Sequence, residues 1–311
     1  MKLLEEKTNT AISLKNILFA TDFSEVSDAA LPYVAAVSLR YGGMIHIAHV
    51  LPEINLVRPS AIDPIAIGAI YEDAHSGTRE EMQELSLRLR RFPHHTYIRH
   101  GKVSEVLSEI IREQNIDLLV AGTHGRTGGW KLLLGSVAEE IFRMATCPVL
   151  TVGPNVPKLT GWPKQRGNDE VPPIELEFRR IVYATDFSGQ SLVAASYAFS
   201  LAQEFRARLT LLRVIEEYGE DLKARPGPID AALHKLEELE PEGADLRWAP
   251  EPIVEFGPPA DRILQIAAER QADLVVLGAR REHIEAATHL PWATAHRVVA
   301  HANCPVLTVR N

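Results

Sequence analysis

The sequence predicts an α/β protein built from two tandem domains, each with its own five-stranded parallel sheet. The main observation is an internal repeat, in which four blocks of the first half return in the same order in the second half. The first block ends in Ala-Thr-Asp-Phe-Ser, and the last is Cys-Pro-Val-Leu-Thr-Val in both copies. The matching segments are 16–24 with 180–188, Gly101 with Gly257, 117–122 with 273–278, and 147–152 with 304–309.

The second observation is that short apolar segments alternate with amphipathic helical patterns. Residues 103–111 show apolar side chains at helical spacing with charges on the other face. Such alternation is typical of βαβ units, whose parallel strands are covered by helices on both faces. Because Pro32 lies inside the first predicted helix, we expect a late start or a kink there. The predicted strands of the first half are 16–21, 44–50, 96–100, 117–121 and 148–152, and its predicted helices are 26–40, 69–91, 103–114 and 136–145.

A stretch rich in proline and glycine separates the two repeats. It contains five prolines and two glycines between Pro154 and Pro173. Such a composition disfavours regular structure and marks a boundary between domains. We therefore predict a first domain at 12–154, a linker at 155–177 and a second domain at 178–311.

Composition and charge exclude several classes of partner. The chain of 311 residues has a formal net charge of −8 and no block of Lys or Arg, so nucleic acid and anionic membranes are not expected partners. No apolar run approaches the roughly 20 residues that span a bilayer, and residues 1–14 lack the apolar stretch of a secretory signal. Cys147 and Cys304 occupy matching positions, which favours two small buried residues over a disulfide and a reducing, cytoplasmic location.

A glycine-containing segment after the fourth strand has the features of a phosphate-binding loop. Gly122 and Gly125 allow the main chain to turn and to approach a ligand closely. Gly135 and Ser136 open the following helix, where unpaired N–H groups and the helix dipole favour an anion. The segment is not a Walker A loop, because Gly-Lys-Ser and Gly-Lys-Thr are absent. The alternative is that these glycines only form turns.

Asp22 is the second candidate feature of the site, because it follows the first strand at the carboxyl edge of the sheet. Ligands of open α/β sheets bind at this edge, where the strand order reverses. If strands one and four are neighbours there, Asp22 lies beside Gly122. Its carboxylate would repel phosphates and accept hydrogen bonds from ribose hydroxyls.

The spacing Gly122-x2-Gly125-x9-Gly135-Ser136, together with the two blocks that start and end the repeat, resembles the universal stress protein family over nearly all of both halves. The resemblance implies flavodoxin-like or Rossmann-like doubly wound domains, association through the last strand and stress-linked roles. The glycine spacing is that of the ATP-binding branch. Position 138, often a hydroxyl residue in that branch, is alanine here. Carried over by position, the residues around adenine and ribose would be Ala20, Asp22 and Val50, and those on the phosphate side Ala121, Gly122, His124, Gly125, Gly135, Ser136 and Val137.

The second half has lost this loop. Arg281 stands where the second glycine is expected, and Pro291-Trp292 replaces Gly-Ser. We therefore predict one ATP site per chain, in the first half, and a structural role for Asp186. For Arg280 and Arg281 two interpretations stay open, binding of another anion or simple solvation.

These features, together with what the family resemblance implies, predict a cytoplasmic ATP-binding protein with a regulatory role in the stress response and no dedicated catalysis. ADP and AMP are alternative ligands, and Mg²⁺ would accompany the nucleotide as a counter-ion. One alternative is slow ATP hydrolysis or phosphoryl transfer, for which Lys131 and His124 are the candidates; another is a nucleotide-free interaction module. No metal site is predicted. The tandem is expected to form an internal pseudo-dimer, with a homodimer as a further possibility.

Overall fold

The computed structural model describes residues 12–51, 64–123, 136–157, 176–216, 226–279 and 291–310. Within them, no helix is long and apolar enough to cross a membrane. The predicted limits of the two domains stay a prediction, since most of the proposed linker lies outside these ranges.

The first half follows the predicted order of strands and helices. Helix α3 begins five residues earlier than predicted. The first helical region differs from the prediction and is described below. All other predicted ends of strands and helices in this half agree with the structure within two or three residues. The elements are β1 (Asn16–Ala20), α1 (Glu25–Asp28), α2 (Leu31–Tyr41), β2 (Met44–Leu51), α3 (Pro64–Arg88), β3 (His94–His100), α4 (Val103–Glu113), β4 (Leu118–Gly122), α5 (Ser136–Met144) and β5 (Val149–Val152).

The second half repeats this order with one change in its first helix. The elements are β6 (Arg180–Thr185), α6 (Gly189–Phe205), β7 (Arg208–Ile215), α7 (Pro226–Glu237), β8 (Glu251–Phe256), α8 (Pro259–Glu269), β9 (Leu274–Gly278), α9 (Pro291–His301) and β10 (Val306–Val309).

The first helical region is split in the first half and continuous in the second. Pro32 is the second residue of α2, where its missing N–H has no helical partner to lose. In the second half, Ser196 occupies the corresponding position and α6 runs through it without interruption. The late start or kink that Pro32 predicts takes the form of an interruption between α1 and α2, after which α2 starts at Leu31. The proline accounts for the difference between the repeats.

The ten strands form one sheet in the order β3-β2-β1-β4-β5-β10-β9-β6-β7-β8. Within each half, the strands that pair are parallel, and each half has the doubly wound order 3-2-1-4-5. The two last strands pair antiparallel, with Leu150 opposite Leu307. The halves are thus related as an internal pseudo-dimer joined through β5 and β10, and the strand order reverses beside β1 and beside β6.

One hydrophobic core covers a face of the sheet across both halves. It joins residues of α2, such as Val34, to residues of α6, such as Ala198. Phe178 lies between the halves, with its ring 6.1 Å from that of Tyr33 and 4.9 Å from that of Phe205. On the opposite face there are two further core clusters, one under the later helices of each half, and Ala138 of α5 belongs to the cluster of the second half. The two repeats therefore share one hydrophobic core on this face of the sheet.

Candidate functional site

The candidate site of the first half lies where the sheet reverses its strand order. Ala20 ends β1 and stands opposite Ala48 of β2 on one side and Ala121 of β4 on the other. Ala48 and Ala121 are buried, whereas Ala20 remains partly exposed. Three small side chains thus lie side by side at the carboxyl edge of the sheet, the position where α/β sheets bind ligands.

Ala20 and Val50 form an apolar wall at this edge. Both pack against the core cluster that lies between the sheet and helices α4 and α5, and both are only partly buried. The two residues come from neighbouring strands, and the structure brings them to the same face of the sheet. An apolar, partly exposed patch of this kind is suited to the face of a planar ring.

Asp22 belongs to the turn that connects β1 to α1. Its Oδ1 accepts a hydrogen bond from the backbone N–H of Ser24 at 3.1 Å. Ser24 in turn caps α1, because its hydroxyl oxygen accepts from the N–H of Ser27 at 3.2 Å. The carboxylate is half-buried and lies one residue beyond Thr21, at the edge where β1 ends. The turn therefore holds a negative charge at the candidate site.

A pair of residues that the sequence analysis missed supports this turn. Phe23 has a φ of +59°, in the left-handed region that bulky side chains rarely adopt. Its ring stacks on His49 with centroids 4.5 Å apart. The Nδ1–H of His49 donates to the backbone carbonyl of Thr21 at 2.8 Å. His49 thus fixes the turn that carries Asp22; the recurrence of Phe in both Ala-Thr-Asp-Phe-Ser blocks was the available signal.

Gly122 ends β4 next to this turn, and the structure gives it a packing role. A Cβ at this position would lie 3.1 Å from the carbonyl oxygen of Val26 and 3.2 Å from the N–H nitrogen of Ser27. Only a glycine therefore lets α1 approach the end of β4 this closely without a shift. This role is additional to the predicted approach of a ligand.

The phosphate side of the predicted site falls largely outside the described residues. His124, Gly125 and Gly135 are among the residues that the structure does not describe, and so are Arg280, Arg281, Lys131 and the side chains of Ser136 and Val137. Helix α5 begins at Ser136, as the sequence predicts. The contribution of these residues to a ligand site stays a prediction.

The second half reproduces the turn with a different partner. Phe187 has a φ of +62°, and Asp186 accepts from the N–H of Ser188 at 2.9 Å. Arg213 takes the place of His49, with its guanidinium 5.4 Å from the centre of the Phe187 ring and one N–H donating to the carbonyl of Thr185 at 3.4 Å. A cation over the ring replaces the stacked imidazole. The turn itself is therefore a structural feature of both repeats.

The sheet order, with a reversal beside β1 and another beside β6, defines a tandem α/β protein of the doubly wound class. The sequence profile of the Universal stress protein family matches residues 13–153 and again 177–310. The chain therefore belongs to the universal stress protein family, as its motifs predicted.

Individual relatives match one repeat at a time. Universal stress protein A homolog 1 of Coxiella burnetii is 31% identical over 139 residues, which are 44% of this chain and 95% of the relative. Universal stress protein MJ0577 of Methanocaldococcus jannaschii is 24% identical over 162 residues, 46% of this chain and 96% of the relative. Among solved structures, a universal stress protein from Archaeoglobus fulgidus is 20% identical with a TM-score of 0.66, covering 97% of this chain and 98% of that one. At 20% identity, this structural similarity supports the fold alone.

Proposed function

We propose that this universal stress protein binds ATP in its first half and acts as a regulatory protein in the stress response. The observation that carries the proposal is the adjacency of β1 and β4, which brings Asp22 and Gly122 to the same edge of the sheet. A carboxylate beside a glycine-containing loop is the arrangement expected of a nucleotide site in this fold class.

The two sides of the site suit different parts of one ligand. The apolar wall of Ala20 and Val50 would take the adenine ring, and Asp22 would accept hydrogen bonds from the ribose hydroxyls. The segment from Gly122 to the start of α5 at Ser136 would hold the phosphates, because main-chain N–H groups at a helix start favour anions. Mg²⁺ would enter with the phosphates as their counter-ion.

Titration calorimetry with ATP tests the proposal. We expect one site per chain. Asp22→Asn should weaken ATP about tenfold or more, because the amide loses the charge that strengthens a hydrogen bond from a hydroxyl. It keeps the Oδ1 that accepts from Ser24, so the turn is preserved. Asp186→Asn is the matched control, because Asp186 makes the same turn contact in the second half. ADP and AMP titrated alongside would rank the nucleotides.

A second variant tests the phosphate loop independently of Asp22. Gly135→Trp combined with Ser136→Ala should abolish ATP binding, because the indole would fill the space at the start of α5. Unchanged ATP affinity in this variant would show that the proposed site is wrong. Two equivalent ATP sites in the wild-type chain would contradict the proposed asymmetry between the halves.

An enzyme is the second candidate function, and a turnover assay separates the two. A regulatory protein should release little phosphate over many minutes, whereas release of several phosphates per site per minute would favour hydrolysis or phosphoryl transfer. His124→Ala and Lys131→Ala would then identify the group responsible. If ATP neither binds nor raises the melting temperature, the tandem acts as a nucleotide-free interaction module.

The proposed location is the reducing cytoplasm. Cys147 and Cys304 are both buried free thiols, in agreement with the sequence prediction that they do not pair. The internal pseudo-dimer already pairs the last strands of the two halves with each other. Any homodimer would therefore use another surface, and sedimentation with and without ATP would detect it.

A further inference from the structure

The second half has a cavity of about 330 Å³ at its own reversal of strand order. The cavity opens at the carboxyl ends of β6, β7 and β9 and is also lined by residues of α6, α8 and α9. Its apolar part includes Ala184, Val214 and Leu277, and its charged part includes Asp186, Arg213 and Glu216. Cavities of a few hundred Å³ with apolar walls and a few polar groups are typical of small-molecule sites.

The cavity retains one side of the candidate site of the first half. Each corresponding pair has the same residue type and the same position within its strand or turn. The apolar wall and the carboxylate are therefore present in both halves. The corresponding residues are Ala20 with Ala184, Asp22 with Asp186, and Val50 with Val214.

The charges in this cavity disfavour a polyphosphate. Two carboxylates, those of Asp186 and Glu216, oppose the single guanidinium of Arg213 among the charged residues that line it. That guanidinium is already engaged by the Phe187 ring and the Thr185 carbonyl. Helix α9 also begins at a proline, which has no N–H to offer an anion. Among the lining residues that the structure describes, the cavity thus combines a surface for a ring and an acceptor for hydroxyls with two carboxylates against one guanidinium.

The geometry points to a second ligand site, in which this cavity binds an uncharged nucleoside. The base lies against Ala184, Val214 and Leu277, and the carboxylate of Asp186 accepts hydrogen bonds from the sugar hydroxyls. The inference rests on the proposed function, because the correspondence with the first half assigns the base and the sugar to their sides of the cavity. The inference goes beyond the proposed function because the second half would bind an uncharged ligand, whereas the first half would bind the negatively charged ATP.

Equilibrium binding of adenosine in the presence of saturating ATP tests this site. ATP occupies the first half and displaces adenosine from it, so that one equivalent of adenosine should still bind, in the second half. Asp186→Asn should weaken this binding about tenfold, since the carboxylate charge strengthens its hydrogen bonds to hydroxyls. The variant keeps the Oδ1 contact to Ser188 that holds the turn. Asp22→Asn, measured with ATP raised enough to keep the first half saturated despite its weaker affinity, is the matched control and should leave the adenosine affinity of the second half unchanged.

Three results would overturn the inference: no adenosine bound at saturating ATP, adenosine bound equally well by Asp186→Asn, or a second equivalent of ATP bound in the second half. If the wild-type chain binds no ATP at all, the proposed function is wrong, and this result is distinct from the three above. In that case adenosine is titrated alone. The inference of a second site then holds if Asp186→Asn weakens the binding of one equivalent of adenosine about tenfold, and it is overturned if the affinity is unchanged.

Discussion

The hydroxyl of Thr151 donates a hydrogen bond of 3.1 Å to the backbone carbonyl of Val306, across the junction of the two halves. Thr308 makes the reciprocal bond of 3.2 Å to the carbonyl of Val149. Both threonines are buried and occupy the same position in the repeated Cys-Pro-Val-Leu-Thr-Val block. The β5–β10 junction is therefore symmetric at the level of single hydrogen bonds, and the repeat in the sequence is what makes it so.

Thr151→Val and Thr308→Val should each lower the free energy of unfolding by about 1 kcal/mol, because each removes one buried hydrogen bond while preserving shape. Equilibrium urea unfolding measures the change. The two losses should be equal within error, since the two bonds are equivalent. Thr96→Val, on the exposed face of edge strand β3, controls for the effect of valine in a strand and should change stability little. Clearly unequal losses would contradict the symmetry.

Gly278→Ala should destabilise the protein by about 1–3 kcal/mol, the usual range for overpacking. The new Cβ would lie 2.4 Å from the Cα of Ser191, and backbone there must move. Gly122→Ala should have a smaller effect, because its nearest contact is the Val26 carbonyl at 3.1 Å. Thermal unfolding of both variants measures the order of the effects.

Gly189 provides the control for these glycine substitutions. It begins α6, and a Cβ there would meet no atom within 4 Å. Gly189→Ala should leave stability unchanged or raise it by about 0.5–1 kcal/mol, since alanine restricts the unfolded chain. An equal loss at positions 189 and 278 would show that close packing at Gly278 is not the cause.

Because of His46, the free energy of unfolding should decrease as the pH is lowered through about 6.5. Burial, and secondarily the nearby His95, lowers the pKa of His46 below its ordinary value. Above the unfolded pKa neither state binds this proton, so the residue has no effect there. As the pH falls, the unfolded chain takes up a proton that the folded chain excludes, and stability is lost until the lowered folded pKa is reached.

His46→Gln should therefore reduce the dependence of unfolding free energy on pH between 6.5 and 5, by up to about 1.4 kcal/mol per pH unit. The variant loses stability at every pH, because His46 also bonds the hydroxyl of Tyr97 at 3.1 Å. The slope, measured by urea unfolding across this range, is thus the informative quantity. His234→Gln on the exposed surface of α7 is the control; an unchanged slope in His46→Gln would exclude this role.

The two cysteines should resist alkylation in the native protein. Burial raises the pKa of the Cys147 and Cys304 thiols to about 12, so that almost no thiolate is present at pH 8. Iodoacetamide followed by intact mass measurement should find no adduct on the native chain and two adducts after denaturation in urea. Rapid labelling of either residue in the native state would show that its core opens readily.

The strands, the helices and the candidate edge of the sheet followed from local patterns. The adjacency of β1 and β4 was a condition of the predicted site, and the contact through the last strands was implied by the family resemblance; the structure contains both. Apolar runs, helical periodicity and the repeat predicted the positions of the strands and helices. Pro32 predicted a late helix start or a kink, and the structure has a break between α1 and α2. These features depend on chemistry that neighbouring residues already carry, which is why one sequence is enough to find them.

Only the tertiary structure decided how distant segments fit together. The close approach of Val26 to Gly122, the stack of Phe23 on His49 and the replacement of that imidazole by Arg213 join residues far apart in the chain. The shared core around Phe178 and the cavity beside Asp186 likewise depend on packing between helices and strands. Periodicity in a sequence indicates which face of an element is buried, but separations of a few ångströms are set by every element that packs around it.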